Sequence, residues 1–239
     1  MASEQSKKRD AQQMMVDTLP EVPGGWNEQE FQLGEHCLRM VLPADPDAFL
    51  DDPAVHAEHE RDGFFPWWAY LWPSSPQLAE YILRQNWKTR PETVELGAGL
   101  GLAGMAALAC GLPVTFSDYR QLPIDLAMSN ARRNGWTSVR GQLIDWRNPP
   151  AAAFELALGN DVLYESENLP LLLNTLETVL CPGGEAWFGE PGRRQAEPFP
   201  QLAAERGWRV EVRDAAGQLL PGIENGQFQV IRLQRETAG

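Results

Sequence analysis

The chain is poor in the residues on which disulfide, metal and phosphate chemistry depend. Its 239 residues hold three cysteines, Cys37, Cys110 and Cys181, at spacings that fit neither a disulfide framework nor a metal-ligand pattern. Histidine is as scarce. His56 and His59 stand among Asp51, Asp52, Glu58 and Glu60, but a solvated acidic helix produces the same pattern, and no metal is expected. Lysine is confined to Lys7, Lys8 and Lys88, none four residues after a tyrosine, which excludes the Tyr-x-x-x-Lys pair of short-chain oxidoreductases. No run approaches the ~20 apolar residues of a membrane span, so no membrane partner is expected. Basic residues number 20 against 33 acidic ones. A net charge of −13 has the wrong sign to neutralise a phosphate backbone, which argues against nucleic acid as partner.

The first twenty residues carry Lys7, Lys8 and Arg9 without apolar periodicity and read as a disordered tail. No apolar run follows the basic cluster, so it is not a secretory signal, and a soluble cytoplasmic protein is expected. Residues 21–239 are long enough to bury a full core as one domain, and a monomer is expected.

Residues 29–42 alternate apolar and polar around Gly34-Glu35, predicting a short hairpin. An acidic connection, Pro43 to Gly63, leads into Phe64-Phe65-Pro66-Trp67-Trp68-Ala69-Tyr70-Leu71-Trp72-Pro73. Six aromatics in nine residues must pack on something large, either as a core plug or as a cover over a pocket. Ser74 or Ser75 is expected to cap a helix reaching about Gln85, with Leu78, Tyr81 and Ile82 facing inward. Strands are then predicted at 93–96, 114–117, 139–143, 154–160, 185–190, 208–213 and 227–233. Helices are predicted at 102–110, 121–134, 167–180 and 197–206, with Cys110 a buried thiol. This alternation gives an α/β fold with a mostly parallel sheet and helices on both faces. The loop Ala215 to Gly226 shows no helical pattern, so the last strand should run antiparallel to its neighbour.

The densest signal is Val94-Glu95-Leu96-Gly97-Ala98-Gly99-Leu100-Gly101, an apolar strand entering a glycine-rich turn and then an Ala/Leu helix. Such a corner cradles nucleosides at the carboxyl end of a doubly wound sheet. Glycines let the backbone take positive φ and approach the ligand closely. Read from Gly99, the turn matches the dinucleotide fingerprint G-x-G-x-x-G; read from Glu95, it is E-x-G-x-G-x-G. An acid before the first glycine would repel a pyrophosphate but suits a cationic sulfonium compound. Asp118, at the next strand end, suits ribose hydroxyls. Asp145 and Trp146 lie where an adenine amino group and ring would need an acceptor and a stacking surface. Asn160-Asp161-Val162-Leu163-Tyr164 follows the strand at the switch point, and Asp161 and Tyr164 can share one pocket with a substrate amine. The plain alternative is an Asp cap, with Ser166 able to do that capping instead. Arg193, in Glu190-Pro191-Gly192-Arg193, suits a substrate carboxylate, a pair with Glu190, or a solvated turn.

The E-x-G-x-G-x-G turn, Asp118, Asp145-Trp146 and Asp161-x-x-Tyr164, following Trp67 to Pro73 in that order, resemble the seven-β-strand protein methyltransferases marked by D/E-x-x-Y. Within that group the chain is most similar to the lysine methyltransferase of the electron-transfer flavoprotein β subunit and its bacterial relatives, over about residues 30–235. The resemblance implies a Rossmann-like seven-stranded sheet with the last strand antiparallel. It implies S-adenosyl-L-methionine as cofactor, held by Trp72, Glu95, Gly97, Gly99, Asp118, Trp146 and Asn160 beside Asp145, with Asp161 and Tyr164 facing the acceptor. Asn160 and Tyr119 depart from the group's pattern. The implied activity is N-methylation of a protein side-chain amine, lysine favoured. A small-molecule N- or O-methyltransferase acting on a small amine is the alternative within enzymes, and a non-catalytic cofactor-binding module the alternative outside them.

Overall fold

The computed structural model describes residues 19–63 and 65–235. The expected tail up to residue 18, and Phe64 of the aromatic segment, lie outside these residues. Leu19 already packs on the core, and the Pro20 carbonyl accepts a hydrogen bond from Trp26 Nε1 at 2.9 Å, so the folded part begins before residue 21.

The hairpin forms as β1 (Trp26–Leu33) and β2 (His36–Pro43), paired antiparallel from Trp26–Pro43 to Leu33–His36 across the turn Gly34-Glu35. It is a separate two-stranded sheet. The acidic connection contains two helices that its composition concealed, α1 (Asp47–Leu50) and α2 (Pro53–Asp62). Asp52 caps α2 by accepting from Ala54 N at 2.7 Å, with Pro53 at the first helical position. A 3-10 turn over Trp67–Ala69 then leads to α3 (Ser74–Leu83). Neither Ser74 nor Ser75 caps α3. Both hydroxyls turn instead toward the main sheet.

The main sheet contains β3 (Thr93–Leu96), β4 (Val114–Asp118), β5 (Arg140–Leu143), β6 (Phe154–Asn160), β7 (Leu180–Glu190), β8 (Trp208–Asp214), β9 (Leu219–Leu220) and β10 (Gln229–Arg235). Its order is β5-β4-β3-β6-β7-β10-β8-β9. The first five pair parallel, and β10 is antiparallel to both β7 and β8. The sequence gives no sign of β9, a two-residue edge strand on β8 inside the expected loop. Strand β7 also begins earlier than expected, because Leu180 pairs with Phe154 before the register shifts at Leu156–Glu185.

Helices α4 (Leu102–Ala109), α5 (Gln121–Arg133), α6 (Leu169–Val179) and α7 (Phe199–Glu205) complete the layers. One core holds Met40, Leu78, Ile82, Met105, Phe116 and Leu158, joining the hairpin, α3, α4 and α5 to one face of the sheet. The other holds Val94, Leu96, Leu172, Phe188, Phe199 and Ile231 beneath α6 and α7. The period of two along β3 divides it between them: Val94 and Leu96 enter the second core, which sends Glu95 toward α4. Cys110 is half-buried rather than buried, its Sγ 3.7 Å from the Ile82 carbonyl. From β3 the chain builds outward through β4 to β5, then crosses to β6 on the other side. The crevice between the carboxyl ends of β3 and β6 is therefore the switch point at which such sheets bind ligands.

Candidate active site

A cavity of about 400 Å³ opens at that crevice. Its floor is the turn after β3, where Gly97, Gly99 and Gly101 adopt φ of 66°, 51° and 82°. A Cβ on Gly97 would stand 3.0 Å from Val162 Cγ1, and one on Gly101 would stand 2.7 Å from Ala127 Cβ. The first glycine keeps space open in the cavity; the third lets the turn pack on α5.

Glu95 Oε2 accepts from Gly104 N at 3.0 Å, so the carboxyl is tied to the first turn of α4 under the floor. Burial pushes its pKa up to about 8, against the lowering effect of the Gly104 and Ala103 amides. At neutral pH Glu95 is thus largely protonated. It anchors the turn instead of presenting the negative charge that its position in the sequence suggests.

Asp118, at the end of β4, is also buried, and its oxygens accept from Gly99 N and Arg120 N, each at 3.3 Å. Desolvation raises it to about 6, opposed by those amides. Asp145 and Trp146 follow β5 and line the same cavity. The Asp145 carboxylate is already gripped by Arg147, with Nη2 at 2.6 Å, and any adenine contact must share it with that guanidinium. The Arg147 side chain is the main cause holding the Asp145 pKa below the usual carboxylate range.

Beyond β6 the chain turns sharply at Asp161. Its φ of 56° makes it the one non-glycine residue with positive φ among the described residues, the local strain that accompanies functional turns. Ser74 Oγ donates to Asp161 Oδ2 at 2.9 Å, and Arg193 Nη2 lies 2.5 Å from Oδ1. Asn160 Nδ2 donates to Ser74 Oγ at 3.1 Å and Ser75 Oγ at 2.9 Å, leaving its buried Oδ1 without a partner. Asp161 and Tyr164 do line one cavity, as their spacing predicts. Tyr164 is 38% exposed, and its hydroxyl is pushed up to about 12, first by burial and then by Glu165, Asp118 and Asp161. It is a neutral phenol at physiological pH. Ser166 does not cap α6; its Oγ donates to the Gln195 carbonyl at 3.3 Å.

The aromatic segment fulfils both of its expected roles. Trp68 packs into the first core and edge-on against Phe49, centroids 5.3 Å apart. Phe65, Trp67, Tyr70 and Trp72 form the cavity wall, with the Tyr70 hydroxyl bonded to Asp47 at 2.6 Å. Glu190 is fully buried rather than on a solvated turn. It accepts from Arg193 N at 2.7 Å, while the Arg193 guanidinium goes to Asp161. Sequence reasoning missed the site roles of Ser74 and Ser75, because a Ser-Ser-Pro after an aromatic run reads first as a helix start. Among the described residues no helix is long and apolar enough to cross a membrane.

A nucleoside fits this corner on the chain's own terms. Glycines at positive φ form the floor, a buried carboxylate stands at the end of β4, and Asn160 is among the lining residues. The family model described as lysine methyltransferase matches residues 66–198. The histone-arginine methyltransferase METTL23 of Xenopus laevis is 28% identical over 200 residues, 71% of this chain and 81% of that protein. The EEF1A lysine methyltransferase 3 of Mus musculus is 30% identical over 154 residues, 60% of this chain and 65% of that protein. Among solved structures, a TehB-like SAM-dependent methyltransferase from Corynebacterium glutamicum superposes with a TM-score of 0.56 at 15% identity. That alignment covers 80% of this chain and all of the other, and it speaks for the fold.

Proposed function

The chain belongs to the lysine methyltransferase family and is an S-adenosylmethionine-dependent methyltransferase, and from that premise we propose that its acceptor is a protein side-chain amine, with lysine favoured. One observation carries the reading: the glycine floor with Asp118 and the exit loop with Asp161 and Tyr164 face the same cavity. We assign Gly97, Gly99, Asp118, Asp145, Trp146, Glu95, Asn160 and Trp72 to the cofactor, with Asp118 taking ribose hydroxyls. Tyr164 faces the acceptor, with Asp161 beside it. When bound, S-adenosylmethionine would supply an electrophilic methyl group to the acceptor nitrogen.

The chain's own residues supply position and dryness. Tyr164, a neutral phenol, orients the amine by hydrogen bonding and does not act as a base at neutral pH. The wall of Phe65, Trp67, Tyr70 and Trp72 excludes water and lies along the alkyl stem of a lysine. The −13 charge suits a basic target segment through complementary fields. The three free cysteines are consistent with a reducing, cytoplasmic setting.

Tritiated S-adenosylmethionine with the purified chain and a cell lysate tests the reading. Label in protein, recovered as methyl-lysine after hydrolysis, is the expected result. Label confined to small molecules would overturn it in favour of a small-amine methyltransferase.

A further inference from the structure

Both oxygens of the Asp161 carboxylate are taken by the chain itself, Oδ2 by Ser74 and Oδ1 by the Arg193 guanidinium at 2.5 Å. The same guanidinium lies over the Trp72 ring, 5.6 Å from its centroid. Asp161 and Trp72 line the cavity, whereas Arg193 is outside the lining and contacts both. Its placement is built in. Gly192 turns at φ 86° where a Cβ would meet the Glu224 carbonyl at 2.4 Å, and Glu190 Oε1 holds the Arg193 amide. Glu190, Glu165, Asp118 and Tyr164 are ionisable groups that face this corner, and Arg120 acts in turn on Asp118. Glu190 is pushed up to about 7, mainly by burial, and so adds little negative charge below that pH. The Asp161–Arg193 pair itself carries no net charge.

That neutrality has a chemical consequence if the acceptor is an amine, the reading on which this inference rests. An ammonium ion has no lone pair, and a bare carboxylate beside it would raise its pKa and hold it protonated. We propose that Arg193 is a positioning residue for methyl transfer: by cancelling the charge of Asp161 and bracing Trp72, it lets the acceptor end of the cavity receive a neutral amine instead of trapping an ammonium ion.

The test needs no acceptor. Two probes are titrated calorimetrically into the full chain at one pH: S-adenosylhomocysteine, neutral at sulfur, and sinefungin, which carries an ammonium group where the sulfonium methyl would stand. With Asp161 neutralised, the wild type gains little from the added ammonium. Arg193→Met should raise the preference for sinefungin over S-adenosylhomocysteine about tenfold, a change equivalent to ~1.4 kcal/mol. Arg193→Lys should keep the wild-type ratio, and Asp161→Asn, which leaves Arg193 unpaired, should lower it. A merely structural role would move both affinities together, and an unchanged ratio in Arg193→Met would overturn the assignment. If that variant does not fold, Asp161→Asn decides alone, an unchanged ratio again overturning it. Failure of the amine reading would appear separately, as an absence of methyl-lysine in the lysate labelling.

Discussion

Asn130 and Val41, 89 residues apart, exchange two hydrogen bonds: Val41 N donates to Asn130 Oδ1 at 2.7 Å, and Asn130 Nδ2 donates to the Val41 carbonyl at 3.0 Å. The same amide reaches the Leu100 carbonyl in the glycine turn at 3.2 Å. Just past the end of α5, Asn134 repeats the pairing with Arg39, its Oδ1 accepting from Arg39 N at 2.9 Å. An α-helix thereby completes the backbone hydrogen bonding of a hairpin strand and fastens that hairpin to the glycine turn.

Asn130→Ala should therefore cost stability well beyond a surface change. It strands the amide and carbonyl of Val41 and the carbonyl of Leu100 in a buried site, at ~1–3 kcal/mol for each orphaned group. We expect a loss of about 3 kcal/mol in urea unfolding, with S-adenosylhomocysteine affinity reduced in the folded variant. A midpoint equal to the wild type's would show that the clamp contributes nothing.

The buried acids set the pH dependence of folding. Glu95, Asp118 and Glu190 have folded values of about 8, 6 and 7, all above their ordinary range. The folded state then binds more protons than the unfolded one, so stability falls as pH rises from about 5 to 8. Glu95→Gln, whose carbonyl still accepts from Gly104, should flatten that slope and gain on the order of 2 kcal/mol at pH 8. Denaturation midpoints of both proteins at several pH values check this. Parallel curves would contradict the assignment of the slope to Glu95.

Two glycines of one turn should fail differently. Gly97→Ala adds strain at φ 66° and a methyl 3.0 Å from Val162, which yields by a few tenths of an ångström, so the fold should survive. Cofactor affinity should drop at least about tenfold, the equivalent of ~1.4 kcal/mol. Gly101→Ala meets Ala127 at 2.7 Å and should lower the melting temperature sharply. Calorimetry and thermal unfolding of the pair would show whether the roles divide in this way.

Asp118 should make cofactor binding depend on acid. Two ribose hydroxyls bond best to the carboxylate, which gains its proton as pH falls through about 6. S-adenosylhomocysteine affinity is expected to weaken several-fold between pH 7 and pH 5, and Asp118→Asn should bind weakly and without that dependence. Identical pH profiles in the two proteins would remove Asp118 from the ribose.

The sequence alone determined whatever depends on near neighbours in the chain. The period of two marked the strands, the 3.6-residue period marked α4 to α7, and the glycine spacing marked a turn that only residues without a Cβ can make. Those signals sufficed for the doubly wound sheet and for the positions of Gly97, Asp118, Asp161 and Tyr164. The tertiary structure decided what depends on partners far along the chain. Desolvation beneath α4 protonates Glu95, although its position before the glycines suggests a charge. Ser74 leaves the helix end it could cap because an Asp161 carboxylate 87 residues away offers a buried partner. Arg193 takes Asp161 and leaves its nearer neighbour Glu190 to the backbone amides, since the turn at Gly192 aims the guanidinium across to the exit of β6. A charge's partner and its burial are set by the packing of distant elements, and local sequence carries no record of either.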